Sequence, residues 1–214
     1  PIESSADKMR AEIEKTILGA SGARLERVQT MFLKLMAVRS GLGRYGRNNI
    51  CYVGEMGSFV ALFAYLTDQV FDEYGWEEIR FLDLCEKCRI CLKSCPTGAI
   101  RLEEPVVDIE HCITLYNEIE GEFPAWIPPE AHNTLMGCMR CQLPCPANRH
   151  AVERIGRREA VTEEETRLFL SGSLDEATAR MIGRKLGLPF LVGSPEMQSL
   201  FARNLRVLLG KPTD

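Results

Sequence analysis

Cys85-Glu86-Lys87-Cys88-Arg89-Ile90-Cys91-Leu92-Lys93-Ser94-Cys95-Pro96 is the stretch on which the fold of this chain turns. Its four cysteines follow one another as C-x2-C-x2-C-x3-C-P. Three thiolates on one tight loop can each meet a different iron of a single 4Fe-4S cubane, while the proline turns the chain so that the fourth points away from it. A zinc site draws four ligands, typically as two separated pairs, and this crowded spacing suits it badly. The chain has nine cysteines, and most sit in runs too tight for a disulfide framework. Such spacing belongs to metal binding in a reducing compartment.

About 50 residues on, Cys138-Met139-Arg140-Cys141-Gln142-Leu143-Pro144-Cys145-Pro146 repeats the pattern incompletely, with Leu135 where a further cysteine belongs. A duplicated unit of the bacterial two-cluster ferredoxin type would then be one ligand short, and Cys112 is the available replacement. In such units the fourth cysteine of each run serves the other cluster. That exchange predicts Cys85, Cys88, Cys91 and Cys145 on one 4Fe-4S cluster and Cys95, Cys112, Cys138 and Cys141 on the second. Cys51 is left over in an apolar stretch and is expected to be a buried packing residue. His111, His132 and His150 lie near cysteines, but eight thiolates already complete two clusters, so local hydrogen bonding accounts for them. Met136 and Met139 are expected to pack against a cluster and exclude water from it.

Composition is that of an ordinary soluble globular protein. Of 214 residues, 45% are hydrophobic and 26% charged, and the formal charge is -4. Thiolates binding iron would make that charge more negative, which weighs against a generic polyanion-binding role. From Arg149 onward 11 basic residues face 9 acidic ones, so any nucleic-acid surface would have to lie in the C-terminal third. The N-terminal stretch mixes charges and has no apolar signal-peptide core, and the longest apolar run, Phe59 to Leu66, is too short to span a bilayer. The expected location is cytoplasmic, without a membrane partner.

The predicted fold is α+β. A bacterial-ferredoxin-like two-cluster domain, residues 81–150, sits between a small partial α/β segment, 1–80, and an all-helical tail, 151–214. In the first segment Ser4 and Ser5 are expected to cap a helix carrying Met9, Ile13 and Ile17 that stops near Gly19. A second helix is expected from Leu25 to Val38 with Met31, Leu35 and Val38 inward, then a shaped Gly/Asn loop from Gly41 to Asn49. Asn49–Val53 and Ser58–Tyr65 read as strands around a turn at Gly54 and Gly57, the second reading equally as a buried helix. In the tail, Thr162 and Glu165 form a capping box, Leu174–Leu186 is amphipathic, and Pro195 opens a last helix containing Leu200, Leu205 and Leu208.

On these residues the chain resembles the epoxyqueuosine reductase family, corrinoid-dependent iron-sulfur reductases related to the reductive dehalogenases. The likeness rests on the Gly41-Leu42-Gly43-Arg44-Tyr45-Gly46-Arg47-Asn48 loop, the Cys85 run, and the Cys112 to Cys145 arrangement around Gly137-Cys138-Met139-Arg140-Cys141-Gln142. It covers about residues 38–150. The resemblance implies the end of a corrinoid-binding domain in the first segment, with Gly41, Gly43, Gly46 and Asn48 approaching cobalamin, and two 4Fe-4S clusters bound by the partition above. Two features depart from the family. Val28 to Ser40 holds no Asp or Glu where the family's proton-donating aspartate is expected, and Glu26, the nearest carboxylate, reads as a helix-surface residue. The 40 residues before Gly41 are also far fewer than a corrinoid domain requires. This chain alone is therefore not expected to reduce epoxyqueuosine in tRNA, and no catalytic residue is assigned.

Three functions follow from this reading. The first is the electron relay of a corrinoid-linked reductase, an oxidoreductase component taking electrons from a redox partner protein, with tRNA or another corrinoid-reduced substrate at its end. The second is a ferredoxin-type carrier or subunit without corrinoid. The third is a tRNA or nucleic-acid-binding protein with structural clusters, using Arg154, Arg157, Arg158, Arg180, Arg184 and Lys185. Interleaved Glu153, Glu159 and Glu163 to Glu165 make a solvated helix face the simpler account of those residues.

Overall fold

The computed structural model describes residues 2–28, 30–72, 75–103 and 106–210. The chain divides into two compact units, one formed by residues 1–88 with 147–151 and the other by 89–146 with 152–214.

The first unit opens with α1 (Ile2–Ile13), which runs through a π-turn to Leu18 and ends at Gly19, close to the expected stop. It is already helical at Ile2, so Ser4 and Ser5 lie inside it; their side chains fall outside the described residues. Met9 and Ile17 share a face but are 42% and 60% exposed, so that face is not a core face. The helix expected over 25–38 is instead two elements: strand β1 (Leu25–Val28) and α2 (Leu33–Arg39). Val38 is buried as expected, whereas Met31 and Leu35 are exposed. The strand is fixed by a distant partner, β4 (Ala64–Thr67), antiparallel with Leu25 opposite Thr67. Glu26 therefore stands exposed on a strand opposite Leu66 and not on a helix.

Between them lie β2 (Arg44–Tyr45) and β3 (Cys51–Tyr52), paired antiparallel. The expected hairpin of 49–53 with 58–65 does not form: β3 turns back on β2, β4 on β1, and Val53 makes a lone bridge to Gly57 across a 3₁₀ turn at Gly54–Met56. Ala37, Val38, Cys51 and Val53 form the local core. The returning segment 147–151 joins this unit through buried Asn148, whose Oδ1 accepts from the Ser58 amide and whose Nδ2 donates to Ser58 Oγ, both at 2.8 Å.

The second unit begins with short helices, α3 (Ile90–Ser94) and α4 (Ile113–Glu118), linked by turns around a small core of Ile113, Ile127 and Ala131. After α5 (Arg149–Val152), which straddles the two units, the tail is helical as expected: α6 (Glu163–Leu170), α7 (Glu176–Leu186) and α8 (Pro195–Leu208). Thr162 and Glu165 make both bonds of the capping box, at 3.2 and 2.8 Å. Asp175 caps α7 by accepting from the amides of Ala177 and Thr178, and Gly187 closes it in the left-handed conformation. Phe169, Ala179, Ile182, Leu191 and Phe201 fill the tail core at 1% exposure or less. No helix among the described residues is long and apolar enough to cross a membrane.

Candidate iron-sulfur centre

None of the nine cysteines is in a disulfide. Cys51 is the buried one, 3% exposed, and the other eight are half-buried. Burial pushes the Cys51 thiol up, with Lys34 opposing, so it packs as a neutral group. Its sulfur and the Tyr52 carbonyl occupy the space that a Cβ on Gly43 would need, at 2.6 and 2.8 Å. A Cβ on Gly46 would meet the Tyr52 ring and Asn48 Oδ1, both at 2.5 Å. Asn48 is itself buried and donates to Tyr52 Oη at 3.0 Å. Gly41 adopts a positive φ of 76°. Close packing within the chain therefore accounts for Gly43, Gly46 and Asn48, and backbone conformation for Gly41.

The eight remaining cysteines are presented by turns and helix ends, where a side chain can leave the backbone without competing for ladder hydrogen bonds. Cys85 lies in the 3₁₀ turn Asp83–Glu86, and its carbonyl accepts from Arg47 Nη2 at 2.8 Å. The Cys88 amide closes the next turn on Leu84 O. Both belong to the first unit and the other six to the second. Cys91 sits in α3 and Cys95 caps its end in an extended conformation, from which Pro96 turns the chain. Cys112 ends the 3₁₀ turn Ile109–His111 and is the N-cap of α4. Gly137, with φ of 66°, delivers Cys138, and successive turns through Met139 and Gln142 carry Cys141 and Cys145.

The four cysteines assigned by spacing to the second cluster, Cys95, Cys112, Cys138 and Cys141, all lie in the second unit. Cys138 packs against the Ile113, Ile127 and Ala131 core. Asn133 Nδ2 donates to Cys138 Sγ at 3.3 Å and to Ala131 O at 2.8 Å, so both of its amide protons are used. A donated N–H to a ligating sulfur lowers the electron density there, one of the means by which a protein sets a cluster potential. Among the described residues no three Cys, His, Asp or Glu side chains converge as ligands of one metal ion. A cubane asks for something else, thiolates spread over its different irons, and eight half-buried cysteines outside any disulfide are a donor set that fits two cubanes.

Neighbouring groups are accounted for locally. His111 Nδ1 lies 2.9 Å from Asp108 Oδ2 and its ring stands 5.1 Å from Trp126. His132 packs edge-on against Phe123, and burial together with Arg203 pulls its pKa down, favouring the neutral ring. Met139 Sδ accepts from Gln142 Nε2 at 3.7 Å, while Met136 is 43% exposed. Lys185 is paired with Glu159 and Glu165, and Arg180 with Glu176, so the basic residues of the tail share their surface with acids.

Residues 84–148 match the family described as the 4Fe-4S double cluster binding domain. Over 117 residues the chain is 38% identical to the epoxyqueuosine reductase of Escherichia coli K12, an alignment covering 54% of this chain and 30% of that protein. Over this stretch the chain is similar to the epoxyqueuosine reductases. Its identity to the enzyme of Gloeobacter violaceus is 35% over 133 residues, covering 61% of this chain and 40% of that protein, so the matched part is well under half the length of these curated relatives. The epoxyqueuosine reductase structure from Streptococcus thermophilus superposes with a TM-score of 0.69 at 17% identity, over 97% of this chain and 53% of that one. An epoxyqueuosine reductase solved with an epoxyqueuosine-modified tRNA-Tyr stem loop gives 0.68 at 21% identity, covering 95% and 54%. Those likenesses extend the shared fold across the helical tail.

Asn133, Asn117 and Asn204 escaped the sequence reading. Asn133 alone carried a local sign, a polar residue five positions before Cys138 in the gap left by the missing cysteine.

Proposed function

We propose that this chain is an electron-transfer component holding two 4Fe-4S clusters, one on Cys85, Cys88, Cys91 and Cys145 and the other on Cys95, Cys112, Cys138 and Cys141. The reading is carried by the Cys85 to Pro96 run lying inside a match to a double-cluster domain, with no cysteine of the set in a disulfide. Clusters supply one-electron oxidation and reduction. The protein supplies the thiolates, the apolar packing around Cys138 and the Asn133 donor that sets the energy of the reduced state.

The kinship with the epoxyqueuosine reductases supports a finer reading, in which electrons pass to a corrinoid-type acceptor working on a modified nucleoside in tRNA. The glycines of the 41–48 loop have reasons within the chain that need no corrinoid. Titration with cobalamin and with an epoxyqueuosine-containing tRNA stem loop tests that extension, and binding of neither would leave a cluster-bearing carrier.

The ligand assignment is tested by spectroscopy of the reduced protein. Cys112→Ala and Cys138→Ala should abolish the same cluster signal, whereas Cys145→Ala should abolish the one lost in Cys85→Ala. Both signals surviving in Cys112→Ala would remove Cys112 from the set.

A further inference from the structure

In the second cluster a ligand from a separate part of the chain replaces one that the repeat would have placed on the same loop. Leu135 stands where the spacing wants a cysteine, and Cys112 lies 23 residues before it. Something must hold the two segments in register. The Leu135 side chain packs against the apolar core of the tail, and its carbonyl accepts from Asn204 Nδ2 of α8 at 2.8 Å. The same Asn204 amide donates to the Asn117 carbonyl of α4, at 2.9 Å, on the helix whose N-cap is Cys112. Asn117 Nδ2 then donates at 2.7 Å to the carbonyl of Gly137, the residue before Cys138, which also accepts from Thr134 Oγ1 at 2.8 Å.

Asn117 and Asn204 are 0% and 1% exposed, where a bond to a carbonyl replaces water that cannot reach it. Asn117 Oδ1 is buried without a hydrogen-bond partner, a cost that gives no stability in return and is borne by a residue whose other end fixes Gly137. Beside this pair, Arg203 adds donors to the carbonyls of Tyr116 and Gly121, and its guanidinium lies 4.1 Å above the Phe123 ring.

We propose that Asn204, acting through Asn117, is the positioning residue of the second cluster: α8 clamps the Cys112 and Cys138 segments at the separation one cubane requires. The helical tail is on this account part of the iron-sulfur site. The inference rests on the ligand set proposed above.

Asn204→Leu keeps similar volume and removes the shared donor. Anaerobically prepared N204L should fall from about eight iron per chain toward four, losing the signal also lost in Cys138→Ala while keeping the one lost in Cys85→Ala, with its helical circular dichroism intact. Phe201→Leu loosens the packing of α8 without touching these bonds, and at a comparable loss of melting temperature it should retain both clusters. Asn204→Leu with both clusters and unchanged spectra would overturn the clamp. So would equal cluster loss in the two variants, since Asn204 would then matter only to stability. An unmodified protein lacking two clusters would instead overturn the functional reading itself.

Discussion

Residues 89–146 and the helical tail from 152 onward belong to the same unit, yet they are held by different means. The tail has a continuous apolar core, with Phe169, Ile182, Leu191 and Phe201 essentially closed to solvent, and each of its three helices starts with a side-chain cap. The cysteine segment has helices of five and six residues and a buried core of Ile113, Ile127 and Ala131, while Leu102, Val106, Ile109, Ile119 and Leu143 remain exposed. Helices that short do not stand alone, and the burial available to them is small. The contrast teaches that the tail is a product of burial, whereas on the proposed ligation the cysteine segment depends on bonds to iron, much as small metal-binding domains do.

The largest effect should come from taking the clusters away. Chelation of iron should expose the amides of 89–146 to rapid hydrogen exchange while those of α6, α7 and α8 stay protected, and uniform loss of protection would break the distinction. Next, Phe169→Ala should cost about 3–5 kcal/mol, read as a lowered denaturant midpoint of the helical signal. A midpoint near that of the unmodified protein would mean that the tail, too, is held by something other than its core.

Smaller effects sharpen the picture within each region. Asn133→Leu removes the donor to Cys138 Sγ, and since that bond favours the more negative reduced state, the potential of one cluster should fall by about 60 mV, tenfold in a one-electron couple. A redox titration following both clusters reads this, and the other potential should stay in place. In the tail, Thr162→Ala should cost about 1 kcal/mol through the lost cap, visible in thermal melts. The Lys185 bond and the Thr162 amide hold the Glu165 carboxyl below its usual range. As pH falls the unfolded chain takes up that proton first, so the stability from this group is complete above about pH 4.3 and is lost as pH drops through the folded value. Glu165→Gln should flatten that acid limb of the melting curve.

Much of this was legible in the residues. The cysteine spacings, the capping box and Pro195 are local signals, and the structure starts a helix at the Thr162 capping box and at Pro195, whereas Ser4 and Ser5, expected as caps, fall inside α1. Leu25 to Val38 misled because its apolar positions fit a helical period, while the strand at Leu25–Val28 is determined by pairing with Ala64–Thr67, far along the chain. Isolated asparagines have no period at all. Asn204 acquires its role from carbonyls 87 and 69 residues away, and Leu135, which reads as a defect in the repeat, is where the tail core takes hold of the cysteine segment.

The central claim, two complete four-cysteine sites, is tested most directly by iron and acid-labile sulfide analysis of anaerobically purified protein. The account predicts about eight of each per chain. Near-stoichiometric zinc without sulfide would contradict it.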